Sequence, residues 1–596
     1  MTRGLLCAAV LLGLAGGGAR RAAAQGDTTA HADTTVRDST ARRDTTGRDT
    51  AAAYLPGFAA ATPAGPLPRG TRYSFPADSF ILSNVQTLSD LLAHIPGVYV
   101  ARGGIYGQAE IVLYGGRGAA GLEIYWDGVP YLPIGRDSTF LDPARISLAP
   151  LERVDVIVLP AQLRVYLVTR RQRSTETASE VGIMTGEVKT ANYRGAFLRR
   201  WRSGLGLSLV ADYNHTDGTG GSSTSFNSVD LWLKGEYVPS PKLGVSYQVL
   251  SSSWTRSAST ASAQTDPFRF ARRDGILRVF AAARPDGLGP RATLLFATTA
   301  ASRDSAVPNP SLAQGLLELS NAWPRAALGL TLRAQDAARP WQLEGMAGWT
   351  PWPALTLAAD ARHSRYNFGR DGNRAHVAAG LALPLHFSLH GDLAWAHDLQ
   401  APLIRADLGQ RTVDVAGAVR WERHGALLEL GGASRDPFTP LGRPAGLKPL
   451  LGLDPSPHSR TLSVRGALPL LPGLSLTAWY FHPLAVLGQD FEPPHHARVS
   501  LTFDSKFWRV YRSGIFELRG EAALDSWSHG TAGYDSSGVR ALPGSSFGEV
   551  NIELRIAGVT IFWIQRNATL FRGSYVPGLD YPRRYQFYGV RWVFTN

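Results

Sequence analysis

The chain has 596 residues, with 61 Lys and Arg against 48 Asp and Glu, a formal net charge of +13, 63 Gly, 15 Trp and one Cys. The one thiol, Cys7, lies in an N-terminal apolar run, which excludes disulfides and thiolate metal sites from the rest of the chain. No apolar run of about 18 residues follows, which excludes a spanning helix, and the scattered arginines form no aromatic-interleaved basic cluster of the kind a nucleic-acid-binding face needs.

Thr2-Arg3, the apolar run Leu5 to Leu14 and the small residues Ala22-Ala23-Ala24 follow the order of a secretory signal peptide, so residues 1–24 are expected to be removed. Asp27 to Thr50 is a low-complexity stretch with almost no apolar content, and Pro and Gly continue to Gly70. Residues 25–79 are therefore expected to be a disordered tail.

From 80 to 172 the pattern predicts a small α+β domain. Leu88, Leu91, Leu92 and Ile95 share one helical face, and Pro96-Gly97 ends it. Short strands are predicted at Val98 to Ala101, Glu110 to Tyr114, Leu122 to Trp126, Val154 to Leu159 and Leu163 to Thr169. Between two of them, Gly116 to Gly121 reads GRGAAG and fits G-x-G-x-x-G. A dinucleotide site needs a helix after that loop, because the helix N-terminus holds the pyrophosphate. Here a strand follows instead and runs into Asp127-Gly128, a hairpin-turn pair. No nucleotide is expected.

From 180 to 596 the text alternates with period two. Val550, Ile552, Leu554 and Ile556 point one way, and Glu549, Asn551, Glu553 and Arg555 the other. Val229, Leu231 and Leu233 likewise alternate with Asp230, Lys234 and Glu236. Short connections near Pro239-Ser240-Pro241, Trp352-Pro353, Pro384, Arg423-His424, Pro472-Gly473 and Ala557-Gly558 alternate with long polar ones such as Thr216 to Ser225, Thr255 to Ala271, Ser434 to Ser459 and Ser526 to Ser546. Tight turns at one end and long loops at the other characterise a transmembrane barrel, here of about 22 antiparallel strands. The last strand, Tyr585 to Asn596, carries Tyr588, Val590, Trp592 and Phe594 on one face, suited to lipid and an interfacial belt.

The small domain resembles the plug of TonB-dependent outer-membrane receptors. The resemblance rests on TLSDLLAHIPGVYV (Thr87 to Val100), Gly116-Arg117-Gly118, LEIYWDGVP (Leu122 to Pro130), LERVDVIVLPA (Leu151 to Ala161) and RVYLVTR (Arg164 to Arg170). It implies a mainly β fold with the plug in the barrel lumen, in the outer membrane of a Gram-negative-type bacterium, with the tail on the periplasmic side. Gly115, Gly116 and Gly118 would then permit positive φ and close backbone approach. Arg117 would pair with carboxylates of the plug or inner wall. Asp127-Gly128 would turn a hairpin, and Pro96-Gly97 would end the plug helix.

The implied activity is that of a monomeric receptor, set in outer-membrane lipid, that binds a scarce small molecule or oligosaccharide at outer loops and plug. It imports this ligand to the periplasm, energised by TonB. The chain departs from the family pattern in four places. Asp155 replaces the usual glutamate, Gln162-Leu163 follows Pro160-Ala161 without a glycine-rich segment, the tail holds no TonB box, and the chain ends on Asn596 rather than an aromatic. The missing TonB box and the missing glycine-rich segment favour the alternative, a passive or structural plugged barrel.

Catalytic patterns are weak. Gly544 to Gly548 fits G-x-S-x-G, but a polar loop precedes it and a strand follows, where a nucleophile elbow needs a strand and then a helix. His495-His496 follows Pro493-Pro494 in what reads as an outer loop, with too few ligands for a dedicated metal site. No pair of carboxylates stands out as acid and base. No enzyme activity, cofactor, metal or nucleic-acid partner is expected.

Overall fold

The computed structural model describes residues 65–82, 85–103, 107, 109–134, 141–218, 225–257, 268–302, 311–336, 339–400, 409–441, 453–484, 490–508, 510–511, 513–577 and 579–595. The expected signal peptide, Cys7 and most of the expected tail lie outside these residues.

A strand alternates its side chains between two faces, and here the polar face is the buried one. On Phe226–Ser240, Val229, Leu231 and Leu233 are exposed while Asp230, Lys234 and Glu236 are buried. Twenty-two strands close into one antiparallel barrel. The first, Ala178–Gly186, pairs with the last, Tyr585–Thr595, with Val181 opposite Trp592 and Thr185 opposite Tyr588. Closure leaves no strand edge, so the ladder satisfies its own N–H and C=O groups, as an apolar surround demands. Two-residue turns such as His424-Gly425 and Ala557-Gly558 bring both residues to positive φ, the hairpin geometry that follows strand twist. The opposite end carries the long connections, one of which holds a hairpin of its own, Gly530–Asp535 with Gly538–Leu542.

Aromatic side chains ring both ends of the outer face. Tyr237, Trp323, Trp352 and Phe387 are exposed at the short-turn end, and Tyr193, Tyr213, Trp341 and Tyr480 at the long-loop end. Trp341 and Trp352 close the two ends of one strand. At strand rise and barrel tilt that separation is about 25–30 Å along the axis, the height of a hydrocarbon core.

The plug fills the lumen. Its sheet has the order β1-β6-β7-β4-β5, where β1 is Arg72–Pro76, β4 Leu122–Trp126, β5 Val129–Pro130, β6 Leu151–Leu159 and β7 Gln162–Thr169. A separate hairpin joins β2 (Tyr99–Arg102) to β3 (Glu110–Leu113). Only Pro160-Ala161 separates β6 from β7, and β4 runs parallel to β7. The helix Leu88–Leu92 starts at a capping box: Thr87 accepts from the Asp90 N–H, and Asp90 accepts in return from the Thr87 N–H. Leu88, Leu91 and Leu92 are fully buried, each contributing about 1.5–3 kcal/mol.

Order begins ahead of residue 80. β1 pairs with β6, Tyr73 opposite Val156, because its alternation is completed by a partner eighty residues on that local composition does not reveal. Before β1, Pro66 and Pro68 lie against the inner wall, where a Cβ on Gly348 or Gly380 would meet them at 2.8 and 3.0 Å.

Candidate functional site

The side chains that sequence reading singled out converge on the boundary between plug and wall. Gly115, Gly116 and Gly118 have φ of 64, 65 and 53°, and a Cβ on Gly115 would stand 3.0 Å from the Ala161 Cα. This backbone curl presents Arg117 to the wall. Its guanidinium pairs with Asp414 on strand Gly409–Arg423, donates to the Asp436 carbonyl at 3.0 Å, and lies 4.7 Å from the centroid of the Phe438 ring. The Gly116 N–H donates to Glu492 Oε1 at 3.1 Å, so the loop receives a carboxyl group from an outer connection. Burial pushes that carboxyl up, with Arg435 and the Gly116 N–H pulling it back.

Asp127 and Gly128 make the β4–β5 turn with φ of 45 and 94°. Asp127 does more than turn the chain. It accepts from the Thr169 N–H at 3.0 Å and hydroxyl at 2.6 Å, and from Gln248 Nε2 of the wall at 2.9 Å. Pro96 follows the helix and lines a gap beside the wall, and Gly97, at φ 81°, is close enough that a Cβ would stand 3.1 Å from the Phe481 ring.

Two buried charge networks went unread in the sequence. In the first, plug Glu123 accepts from Arg362 at 2.7 and 3.1 Å and from Arg374 at 2.8 Å. Plug Arg164 donates to Asp360 at 2.7 Å, and His376 sits between Asp360 and Asp392 at 2.8 and 3.1 Å. Burial alone would raise the Glu123 carboxyl, but Arg362 and Arg374 outweigh it and hold it well below the usual range. Burial pushes Tyr125 up to about 12, so its hydroxyl keeps its proton and donates to Glu123 at 3.0 Å. In the second network Arg566 donates to Asp90 at 2.5 Å, Arg102 also pairs with Asp90, and Arg102 lies 3.3 Å from Glu110. Against the push of burial, Arg566 and Arg102 hold the Asp90 carboxyl low; at Glu110 burial prevails and the carboxyl is raised.

The remaining motifs lie elsewhere. His496 opens the strand His496–Ser505 and faces inward. It is buried against Trp479 and Trp527 and lies 3.0 Å from Asp525, so the loop expected there ends one residue earlier. His495 stacks on His482. Ser545 and Ser546 begin the strand Ser545–Ile556 and have no helix after them. Among the described residues no cluster of three or more His, Cys, Asp and Glu could hold a metal ion.

A plug domain inside a closed 22-strand barrel that is apolar outside and charged inside is the architecture of a plugged outer-membrane β-barrel. More particularly, residues 69–165 match the family model TonB-dependent Receptor Plug Domain, and the chain has the plug-and-barrel architecture of the TonB-dependent receptors. A ferric enterobactin receptor from Pseudomonas aeruginosa superposes with a TM-score of 0.68 at 13% identity, over 88% of this chain and 98% of that one. A siderophore receptor from Acinetobacter baumannii gives 0.66 at 11% identity, over 88% and 98%. A copper transporter, OprC, gives 0.69 at 12% identity, over 89% and 100%. At such identities the likeness is one of fold. No curated protein matches the chain by sequence.

Proposed function

We propose that the chain is an outer-membrane receptor that binds a scarce solute between its long loops and plug and imports it to the periplasm, energised by TonB. The observation that carries this reading is the plug itself: a domain of the TonB-receptor family held in the lumen by ionic and hydrogen-bonded contacts that can be remade. Relatives of the same fold are described as receptors for ferric enterobactin and siderophores and as a copper transporter, which favours a metal-linked solute. The test is accumulation of iron chelates, copper and cobalamin by cells that express the chain as their sole receptor. Accumulation of one of these that stops without TonB, or when the proton gradient is dissipated, is the expected result.

One observation favours a second reading, a passive or structural plugged barrel: β6 turns into β7 through Pro160-Ala161 alone, where the resemblance implies a longer glycine-rich segment. Accumulation that persists without TonB would support it.

A further inference from the structure

Among the described residues, a buried cation at the plug–wall boundary forms no ion pair. Arg333 lies near the long-loop end of strand Ala326–Gln335 and is 4% exposed. Among the described residues it makes no hydrogen bond, ion pair or ring contact. It faces a cavity of about 130 Å³ between the plug and the wall, lined also by Arg339, Arg362, Arg374, Tyr125 and one carboxylate, Glu123. That carboxylate is already taken by Arg362, Arg374 and Tyr125. Behind it, Glu344 accepts from Arg362 at 3.3 Å and Asp398 from Arg374 at 2.6 Å. Arg339 donates to the neutral Gln342 at 2.8 Å and lies 5.2 Å from the Tyr366 ring centroid.

We propose that this cavity is an oxyanion-binding subsite in which Arg333 takes a carboxylate or phosphate-like group of an incoming solute. Burying a guanidinium without a partner costs several kcal/mol, which packing alone does not return. The planar fork of donors matches two oxygens of one oxyanion. The cavity has room for such a group, and Pro130 and Leu132 on its plug side offer an apolar flank to the organic body behind it. That the anion arrives as cargo rests on the import reading; that the cavity binds it does not.

The test is calorimetric titration of the purified full chain in detergent with citrate and with pyrophosphate, alongside thermal melts. Wild type is expected to bind at least one probe saturably and to melt higher in its presence. Arg333→Gln is expected to weaken binding at least tenfold, the loss of a charge-assisted contact. Without probe it is expected to melt above wild type, because the stranded charge is gone. Ala120→Leu, which fills the cavity and leaves every arginine in place, should also weaken binding. Arg284→Gln, on an exposed pair with Asp286 at the other end of the barrel, should not. Failure of both probes to bind wild type, or binding that Arg333→Gln leaves unchanged, overturns the subsite. Binding without any TonB-dependent accumulation in cells leaves the subsite standing and removes the import reading instead.

Discussion

At Gly116 the backbone N–H takes the Glu492 carboxyl rather than a phosphate, and the contact holds the plug under an outer connection. Arg117, one residue on, is the more costly contact to lose. Arg117→Ala strands Asp414 in a buried site, and breaking a buried pair from one side costs about 3–5 kcal/mol. Faster trypsin release of the plug from detergent-solubilised protein would show it, and unchanged release would contradict the contact. Glu123 gives a prediction in pH. Its folded value lies below the unfolded value of about 4.3, so its contribution is complete above that value and is lost only as pH falls through the depressed folded one. Arg362, Arg374 and Arg164 stay charged throughout. Glu110, with its folded value raised, works in the other direction and favours the native state as pH falls. The Glu123-dependent part of plug retention, read as the difference in release between wild type and Glu123→Gln, should therefore be the same at pH 7 and pH 5 and should shrink only below about pH 4; a difference already smaller at pH 5 would refute the assignment.

Among the elements, the barrel strands divide their faces so sharply that single substitutions should read the sidedness. Leu231 lies mid-strand on the outer face and Lys234 on the inner. Leu231→Arg is expected to cost about 2–4 kcal/mol in the bilayer and to lower the yield of heat-modifiable barrel; normal yield would mean that lipid does not cover this face. The strap before β1 gives a second test. A side chain at Gly348 would overlap Pro66, so Gly348→Leu should push residues 65–68 off the wall and speed trypsin cleavage at the already exposed Arg69 while the barrel stays folded. The alternation that assigns these faces was legible in the residues themselves, as were β4, the Asp127-Gly128 turn and the short connections, because each is set by near neighbours. β1 was not, since its partner β6 is remote and its own neighbourhood reads as Pro- and Gly-rich tail. The pairing of Glu123 with Arg362 was hidden for the same reason. Period two says that Arg362 faces the lumen but not which plug residue will meet it. At His496 the phase shared with Arg498 and Ser500 was available, but the preceding Pro493-Pro494 masked where the strand begins.

For the whole molecule, the plug meets its two walls by different physics. On one side its core runs without a break into inward-facing Val210, Trp232, Leu250, Ile276, Leu295 and Leu316 on neighbouring strands. On the other, Arg164, Glu123 and Arg117 meet Asp360, Arg362, Arg374 and Asp414, with a cavity of about 80 Å³ between. Separating the first boundary exposes apolar surface at about 25 cal/mol per Å². Separating the second lets water solvate each charge as it is released, which offsets much of the lost attraction. A pull on the plug should therefore open the ionic side first and leave the apolar side as the hinge. Cys7 lies ahead of the plug, so once it is replaced engineered thiol pairs react without competition. Arg164→Cys with Asp360→Cys, bridged by a short bis-maleimide, should abolish uptake. Ser147→Cys with Asp212→Cys, 3.3 Å apart as oxygens on the side of strand Leu205–Thr216, should leave most of it when bridged in the same way. Equal loss from the two bridges would mean that the plug moves as one body and that the asymmetry of its contacts does not steer the path.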